Sequence, residues 1–180
     1  MKDLLLRLLR HKAWANAMLL DAFAALGDAH PATGLAARAL AHTHVVDRIF
    51  LAHLRGERHG YASANPAQVP AWEALASDIR ATDQALLAYA ATLDEAAMAE
   101  RLRFTFTDGA PGCMSRAEML MHLVTHGAGH RGQVSAVQLL HGLVPEPNGF
   151  TTWLHAAEPA ERGRGGPSSR PQAAAVEATA

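Results

Sequence analysis

Two histidines of this 180-residue chain, His126 and His130, stand four residues apart in a segment with helical periodicity. Side chains at that spacing lie one turn apart on the same face of a helix, so both imidazoles can reach one point. Zinc-binding helices use this geometry, because each ring gives the metal one nitrogen. The pair alone is a weak signal, and a third ligand must come from another element.

An earlier helix offers two candidates for that third ligand. Its inward-facing stripe is formed by apolar residues, namely Leu35, Ala39, Val46 and Ile49. His42 shares this stripe, whereas His44 projects roughly opposite and is predicted to face solvent. His53 also faces inward but lies eleven residues after His42, about 16 Å along the helix axis, so the two cannot bind the same ion. Periodicity does not choose between His42 and His53.

The remaining histidines and one aspartate are assigned to packing or to the surface. His122 lies on the same face as the HxxxH pair, and like His53 it is expected to pack in the core or at its edge. Surface positions are expected for His11, His30, His44, His59, His141 and His155. Asp83 falls on the apolar face of the third helix, where we expect it at the open end of a bundle rather than beside a metal ligand.

Four amphipathic segments must position these residues, and they predict an all-α, four-helix bundle. Their apolar stripes run over 4–26, 35–49, 72–93 and 119–140, and the first and second end at Gly27 and Gly56. The fourth begins at Ser115, three residues before Glu118, which is the capping-box spacing. Residues 102–107 alternate in polarity before an Asp-Gly pair and predict a short extended arm ahead of the fourth helix. Residues 150–157 could add a short final helix.

Composition restricts the environment and the partners. A formal net charge of -1 argues against a nucleic-acid partner, and no segment is apolar enough to suggest a membrane span. The single cysteine, Cys113, excludes an intramolecular disulfide and suits a reducing compartment, so we expect a cytoplasmic protein. We predict one domain over residues 1–157 and a disordered C-terminal tail over 158–180, which is rich in Gly, Pro, Ser, Arg and Ala.

Two segments resemble the DinB family of the DinB/YfiT-like superfamily. They are LAHTHVVDRIFLAHLRG at 40–56 and HLVTHGAGHRGQV at 122–134. Supporting matches are Trp-Ala-Asn at 14–16, Thr-Asp-Gly at 107–109 and, most specific, the HxxxHRGQ motif at 126–133. The resemblance covers roughly residues 1–157.

The resemblance implies a four-helix bundle, commonly a homodimer, that holds a divalent metal ion. Its ligands would be the helix 2 histidine five residues before Asp47, which is His42, together with His126 and His130. Zinc is the first choice of metal, nickel the second, and iron and manganese are further candidates. The family often has a second histidine just before the last ligand, where this chain has Gly129.

The resemblance also suggests a function. The family name refers to damage-inducible genes, and members of the superfamily are similar to transferases that use low-molecular-weight thiols. We therefore expect a metal-dependent enzyme that transfers a thiol to a small electrophile, with Arg131 and Gln133 near the rim of the site or in contact with its ligands. The alternatives are a metal-dependent hydrolase, which needs no thiol, and a non-catalytic metal-binding stress-response protein.

Overall fold

The computed structural model describes residues 1–163, and within them six helices and two strands follow one another along the chain. In chain order these elements are α1 (Lys2–Leu26), α2 (Pro31–Arg55), α3 (Trp72–Thr92), α4 (Glu95–Ala99), β1 (Arg101–Thr105), β2 (Pro111–Ser115), α5 (Arg116–Leu140) and α6 (Phe150–Ala157). The four long helices and α6 were predicted from the sequence, but the five-residue α4 was not. Residues 164–180, most of the tail predicted to be disordered, lie outside the described residues.

The predicted ends of the metal-bearing helices are present in the structure. Gly56 ends α2 with φ of 70°, in the left-handed region that glycine adopts without a steric cost. At the start of α5, the Ser115 side chain accepts from the backbone N–H of Glu118, and the Glu118 carboxylate accepts from the backbone N–H of Ser115. This reciprocal cap fixes where the helix carrying two of the candidate ligands begins.

The predicted extended arm is an antiparallel hairpin. β1 and β2 pair with Arg101 opposite Ser115 and Thr105 opposite Pro111, and Gly109 turns the chain with φ of 87°. β2 runs directly into α5, so the hairpin is anchored to the capped start of that helix.

The long helices bury two apolar clusters with a polar layer between them. α1 packs against α3 and α5, and α2 packs against the same two helices. One cluster includes Leu9, Ile49, Leu86 and Leu123, and the other includes Phe23, Leu40, Leu75 and Val134. On each of the four helices, the polar residues between these positions fall at one level, and the candidate metal ligands belong to that level. We call this set of residues the polar layer. It comprises Lys12, Asn16, His42, Asp47, Asp83, His126, His130 and Arg131.

The prediction that three leucines face inward was wrong. Leu4, Leu35 and Leu140 are exposed, with Leu140 at 85%. Each lies in the first or last turns of its helix, where the helical repeat continues past the partner that would cover it. At the start of α2 the buried face is instead formed by the small residues Ala32 and Ala36.

Two histidines predicted to be at the surface are buried. The His44 Nε2 lies 3.1 Å from the hydroxyl of Thr82 on α3, because α2 packs against α3 as well as α5 and so has two buried faces. His11 donates from Nε2 to the carbonyl of Asn148 at 2.8 Å and packs edge-on to Phe150. A projection that assumes one buried face per helix misplaces both residues.

Among the described residues, no helix combines the length and the apolar character needed to cross a membrane.

Candidate metal centre

Three histidine side chains converge within the polar layer between α2 and α5. His42 comes from α2, and His126 and His130 come from successive turns of α5. The Nε2 atom of His126 lies 3.2 Å from Nε2 of His42 and 3.1 Å from Nε2 of His130. One nitrogen from each ring lies within 4.8 Å of the other two, so these residues are positioned to hold a metal ion.

Hydrogen bonds at Nδ1 orient the rings of His42 and His130, which lie on either side of His126. The Nδ1–H of His42 donates to the carbonyl of Ala64 at 3.1 Å, and the Nδ1–H of His130 donates to Oε1 of Gln133 at 2.8 Å. In a neutral imidazole one nitrogen carries the proton and the other accepts, so both Nε2 atoms present lone pairs to the centre. Metal-binding histidines are commonly held this way, with the second nitrogen donating to a carbonyl.

The central ring cannot satisfy both neighbours with hydrogen bonds. His126 can bring at most one proton to its Nε2, which pairs with His42 or with His130 and leaves the other contact lone pair to lone pair. Its Nδ1 is buried and has no hydrogen-bond partner among the described residues. A cation between the three Nε2 atoms would remove the repulsion, and the donor set therefore fits a metal ion.

The separations also fit a transition-metal ion. At a tetrahedral site with Zn–N bonds of about 2.0–2.1 Å, two ligand nitrogens lie about 3.3 Å apart. Two of the three nitrogen pairs here lie at 3.1 and 3.2 Å. Neutral imidazole suits zinc, nickel, copper and iron alike, so the ligand set indicates a divalent metal without choosing among these ions.

Electrostatics keep the central ligand neutral. Burial, which has the largest effect, and the positive charges of His130, His122, His42 and Lys12 together lower the pKa of His126 to about 4. His122 stacks on His126 with ring centroids 5.4 Å apart, and its own pKa is lowered by burial. A ring that resists protonation keeps its lone pair available to a metal at neutral pH.

The family assignment follows from a model of the DinB family that matches residues 1–163. The chain belongs to the DinB family. No curated protein and no solved structure matches it at a significant level. The resemblance inferred from the histidine motifs is thereby confirmed, and the three-histidine group of this DinB family member lies within the matched region.

The other inward histidine of α2 lies outside this group. The His53 ring packs at a tilt against Phe104 of β1, with 4.8 Å between ring centroids, and lies 5.0 Å from the His59 ring, centroid to centroid. Burial lowers the pKa of His53, and its Nε2 has no hydrogen-bond partner among the described residues. His53 therefore packs at the hairpin end of α2, and His42 is the α2 histidine that the structure brings to the pair.

A buried network of charges occupies the rest of the polar layer. The Lys12 ammonium lies 2.6 Å from a carboxylate oxygen of Asp47 and 2.6 Å from one of Asp83. Asn16 donates to the second oxygen of Asp83 at 2.8 Å, and Arg131 donates to the Asn16 amide oxygen at 3.2 Å. The two cations balance the two carboxylates, and the network joins all four long helices.

This network corrects the expectation for Asp83 and decides between two positions for Arg131 and Gln133. Asp83 is buried inside the helices rather than at an open end, because Lys12 reaches it from α1. Arg131 is buried and donates to Asn16 in the charge network, so it does not lie at a rim, whereas Gln133 contacts the candidate ligand His130. The sequence feature that pointed to this network was Asp83, a charged residue on the apolar face of α3. Lys12 was missed because an isolated lysine in a helix is ordinarily solvated.

A glycine makes room for the network beside the metal ligands. A Cβ at Gly127 would lie 3.2 Å from Nη1 of Arg131 and 3.4 Å from Cε of Lys12. The residue at position 127, next to His126, must therefore be small, because Lys12 and Arg131 lie directly against it.

Proposed function

We propose that this DinB family member is a metal-dependent enzyme whose divalent ion is held by His42, His126 and His130. The observation that carries the proposal is the convergence of three Nε2 atoms, two of which present lone pairs to the centre because their Nδ1 protons bond to Ala64 and Gln133. Zinc is the ion we propose first and nickel second.

The finer expectations from the sequence belong to the same proposal. We propose that α1, α2, α3 and α5 form a four-helix bundle, that the protein is a cytoplasmic homodimer, and that its substrate is a small molecule. The packing of α1 and α2 against both α3 and α5 supports the bundle.

The chemistry we propose is transfer of a low-molecular-weight thiol to a small electrophile. When bound, a divalent ion with three imidazole ligands offers an open position and lowers the pKa of a thiol or water there. The chain's own residues orient the rings. The Ala64 carbonyl accepts from Nδ1 of His42, the Gln133 side chain accepts from Nδ1 of His130, and burial keeps His126 neutral. The neutral rings can then bind the ion without first releasing a proton to solvent.

We propose a cleft beside the first half of α2 as the substrate pocket, which would favour an enzyme over a purely structural metal site; it comes within one helical turn of His42, but the three histidines do not line it. It has a volume of about 690 Å³ and lies between the first half of α2 and the segment that precedes α3. Arg38, one helical turn before His42, lines it, and so does Asn65, which follows the carbonyl that holds His42. Pockets for small ligands commonly have about 300–1,000 Å³.

The proposal is tested by turnover of metal-loaded protein with a panel of low-molecular-weight thiols and a chromogenic electrophile. We expect thiol-dependent turnover in the wild type and none above background in His126→Ala. His141→Ala is the matched control, because His141 is exposed beyond α5. No difference between the wild type and His126→Ala across the panel would contradict thiol transfer.

Turnover without a thiol and the response of the melting temperature to chelation separate the alternatives. Turnover of an ester or amide without any thiol would favour the hydrolase. A large fall in melting temperature on chelation, with no turnover of either kind, would favour a non-catalytic metal-binding protein.

A further inference from the structure

A second cleft lies on the side of α2 that faces α3, away from the metal centre. It has a volume of about 650 Å³ and is bounded by the second half of α2, the segment over 57–61 and α3. Three arginines line it, namely Arg48, Arg55 and Arg58, together with one carboxylate, Glu57. Its size is that of a small-molecule pocket, and its charge is predominantly positive.

No ion pair within the described residues accounts for the positions of the three arginines. Within residues 1–163, none of them forms an ion pair, and neither does Glu57. Asp78 of α3 also forms none; its charge raises the pKa of His44, whereas that of Arg48 lowers it, and burial, the largest effect, leaves this pKa below its ordinary value. The guanidinium groups therefore keep their donors available to a ligand.

The arginines are not needed to cap α2. The Leu54 carbonyl already accepts from the Tyr89 hydroxyl at 2.7 Å and from Arg116 at 2.6 Å, and the Ala52 carbonyl accepts from the Glu57 backbone at 2.9 Å. These bonds satisfy carbonyls at the negative end of the helix dipole, so it needs no help from Arg55.

The spacing suits a ligand with more than one anionic group. Arg48 and Arg55 are seven residues apart, so they lie on one face of α2 about 10.5 Å from each other along its axis. Arg58 follows the Gly56 turn and lines the same cleft. Like charges concentrated in one concavity repel each other until an anion enters.

We propose that this cleft binds a small multivalent oxyanion, a phosphate ester or a polycarboxylate, through Arg48, Arg55 and Arg58. Guanidinium groups form paired, charge-assisted hydrogen bonds with the oxygens of either group. The site is separate from the candidate metal centre, which lies where α2 faces α5, and the proposal does not depend on the metal being catalytic.

Isothermal titration calorimetry of the full chain with pyrophosphate, and separately with citrate, tests the proposal. We expect saturable binding of at least one of them, weakened about tenfold by Arg55→Ala and by Arg58→Ala through loss of charge-assisted bonds. Glu57→Gln should bind a few-fold more tightly, because it removes the one carboxylate that lines the cleft. A preference between the two anions distinguishes phosphoryl from carboxyl ligands.

Two controls make the result specific. Arg10→Ala removes an exposed arginine of α1 that also forms no ion pair within the described chain, and it should leave binding unchanged. His126→Ala should also bind normally, because the anion does not sit on the metal. The proposal is overturned if neither anion binds, if Arg10→Ala weakens binding as much as Arg58→Ala, or if binding is lost in His126→Ala.

Discussion

Replacing Lys12 with methionine tests the buried charge network that lies in the polar layer with the metal ligands. The substitution keeps the length and much of the volume of the side chain but removes its ammonium group. Asp47 and Asp83 then remain buried without the cation that lies 2.6 Å from each of them. Burial by itself lowers the pKa of Lys12, and the two carboxylates more than offset this and raise it above its ordinary value.

The expected loss is large at neutral pH and smaller in acid. Removing one partner of a buried ion pair costs about 3–5 kcal/mol, and we expect a value in that range at pH 7. Burial already raises the pKa of Asp47 to about 6, and without Lys12 it should rise further. A raised carboxyl pKa means that the folded state binds more protons than the unfolded state, so stability recovers as the pH falls toward the ordinary pKa. For each carboxyl that gains a proton in the variant only, the deficit shrinks by about 1.4 kcal/mol per pH unit.

Urea denaturation followed by circular dichroism at pH 7 and pH 5 measures both quantities. Lys2→Met is the matched control, because Lys2 lies at the start of α1 and its ammonium group donates only to the exposed Ala91 carbonyl, so we expect a change within about 0.5 kcal/mol. If Lys12→Met does not fold at pH 7, the double variant Lys12→Met with Asp83→Asn should restore folding. A loss below about 1 kcal/mol at pH 7, or an equal loss at both pH values, would refute the reasoning.

Three further predictions concern the surroundings of the metal ligands. Gly132→Ala meets open space and should stabilise α5 by up to about 1 kcal/mol, whereas Gly127→Ala crowds Arg131 and Lys12 and should be about 1–2 kcal/mol less stable than Gly132→Ala by urea denaturation; equal effects would contradict the close packing. Gln133→Leu removes the acceptor that orients His130 and should weaken zinc binding about tenfold in a competition titration with a chromophoric chelator, and unchanged affinity would exclude that role. Metal affinity should fall as the pH drops toward about 4, where the free His126 ring takes up a proton that competes with the metal; constant affinity from pH 7 to pH 4 would contradict ligation by His126.

The sequence predicted the elements that carry the site better than it predicted their neighbours. The capping box at Ser115 and the glycine after α2 act through residues adjacent in the chain, so local pattern was enough to place the helix ends. The spacing of His126 and His130 is likewise a property of one helix. Choosing His42 over His53 required the family resemblance, because periodicity does not say which level of one helix faces which level of another.

Contacts between helices account for what could not be predicted. His44 and His11 were placed at the surface because the projection gave each helix a single buried face, whereas α2 packs against two helices and a segment before α6 covers His11. The burial of Lys12 depends on Asp47 and Asp83 arriving from two other helices. The carbonyl of Ala64, which orients His42, belongs to a segment without regular structure and carries no side-chain signal.

The central claim is that three imidazoles from two helices bind one ion. Its most direct test is the metal content of protein purified without a histidine tag or a nickel column, measured by mass spectrometry for the wild type and for His42→Ala, His126→Ala and His130→Ala. We expect one equivalent of a divalent metal per chain in the wild type and a loss of it in each variant. Wild-type protein that binds no metal when supplied with it, or a His42→Ala variant that retains a full equivalent, would contradict the account.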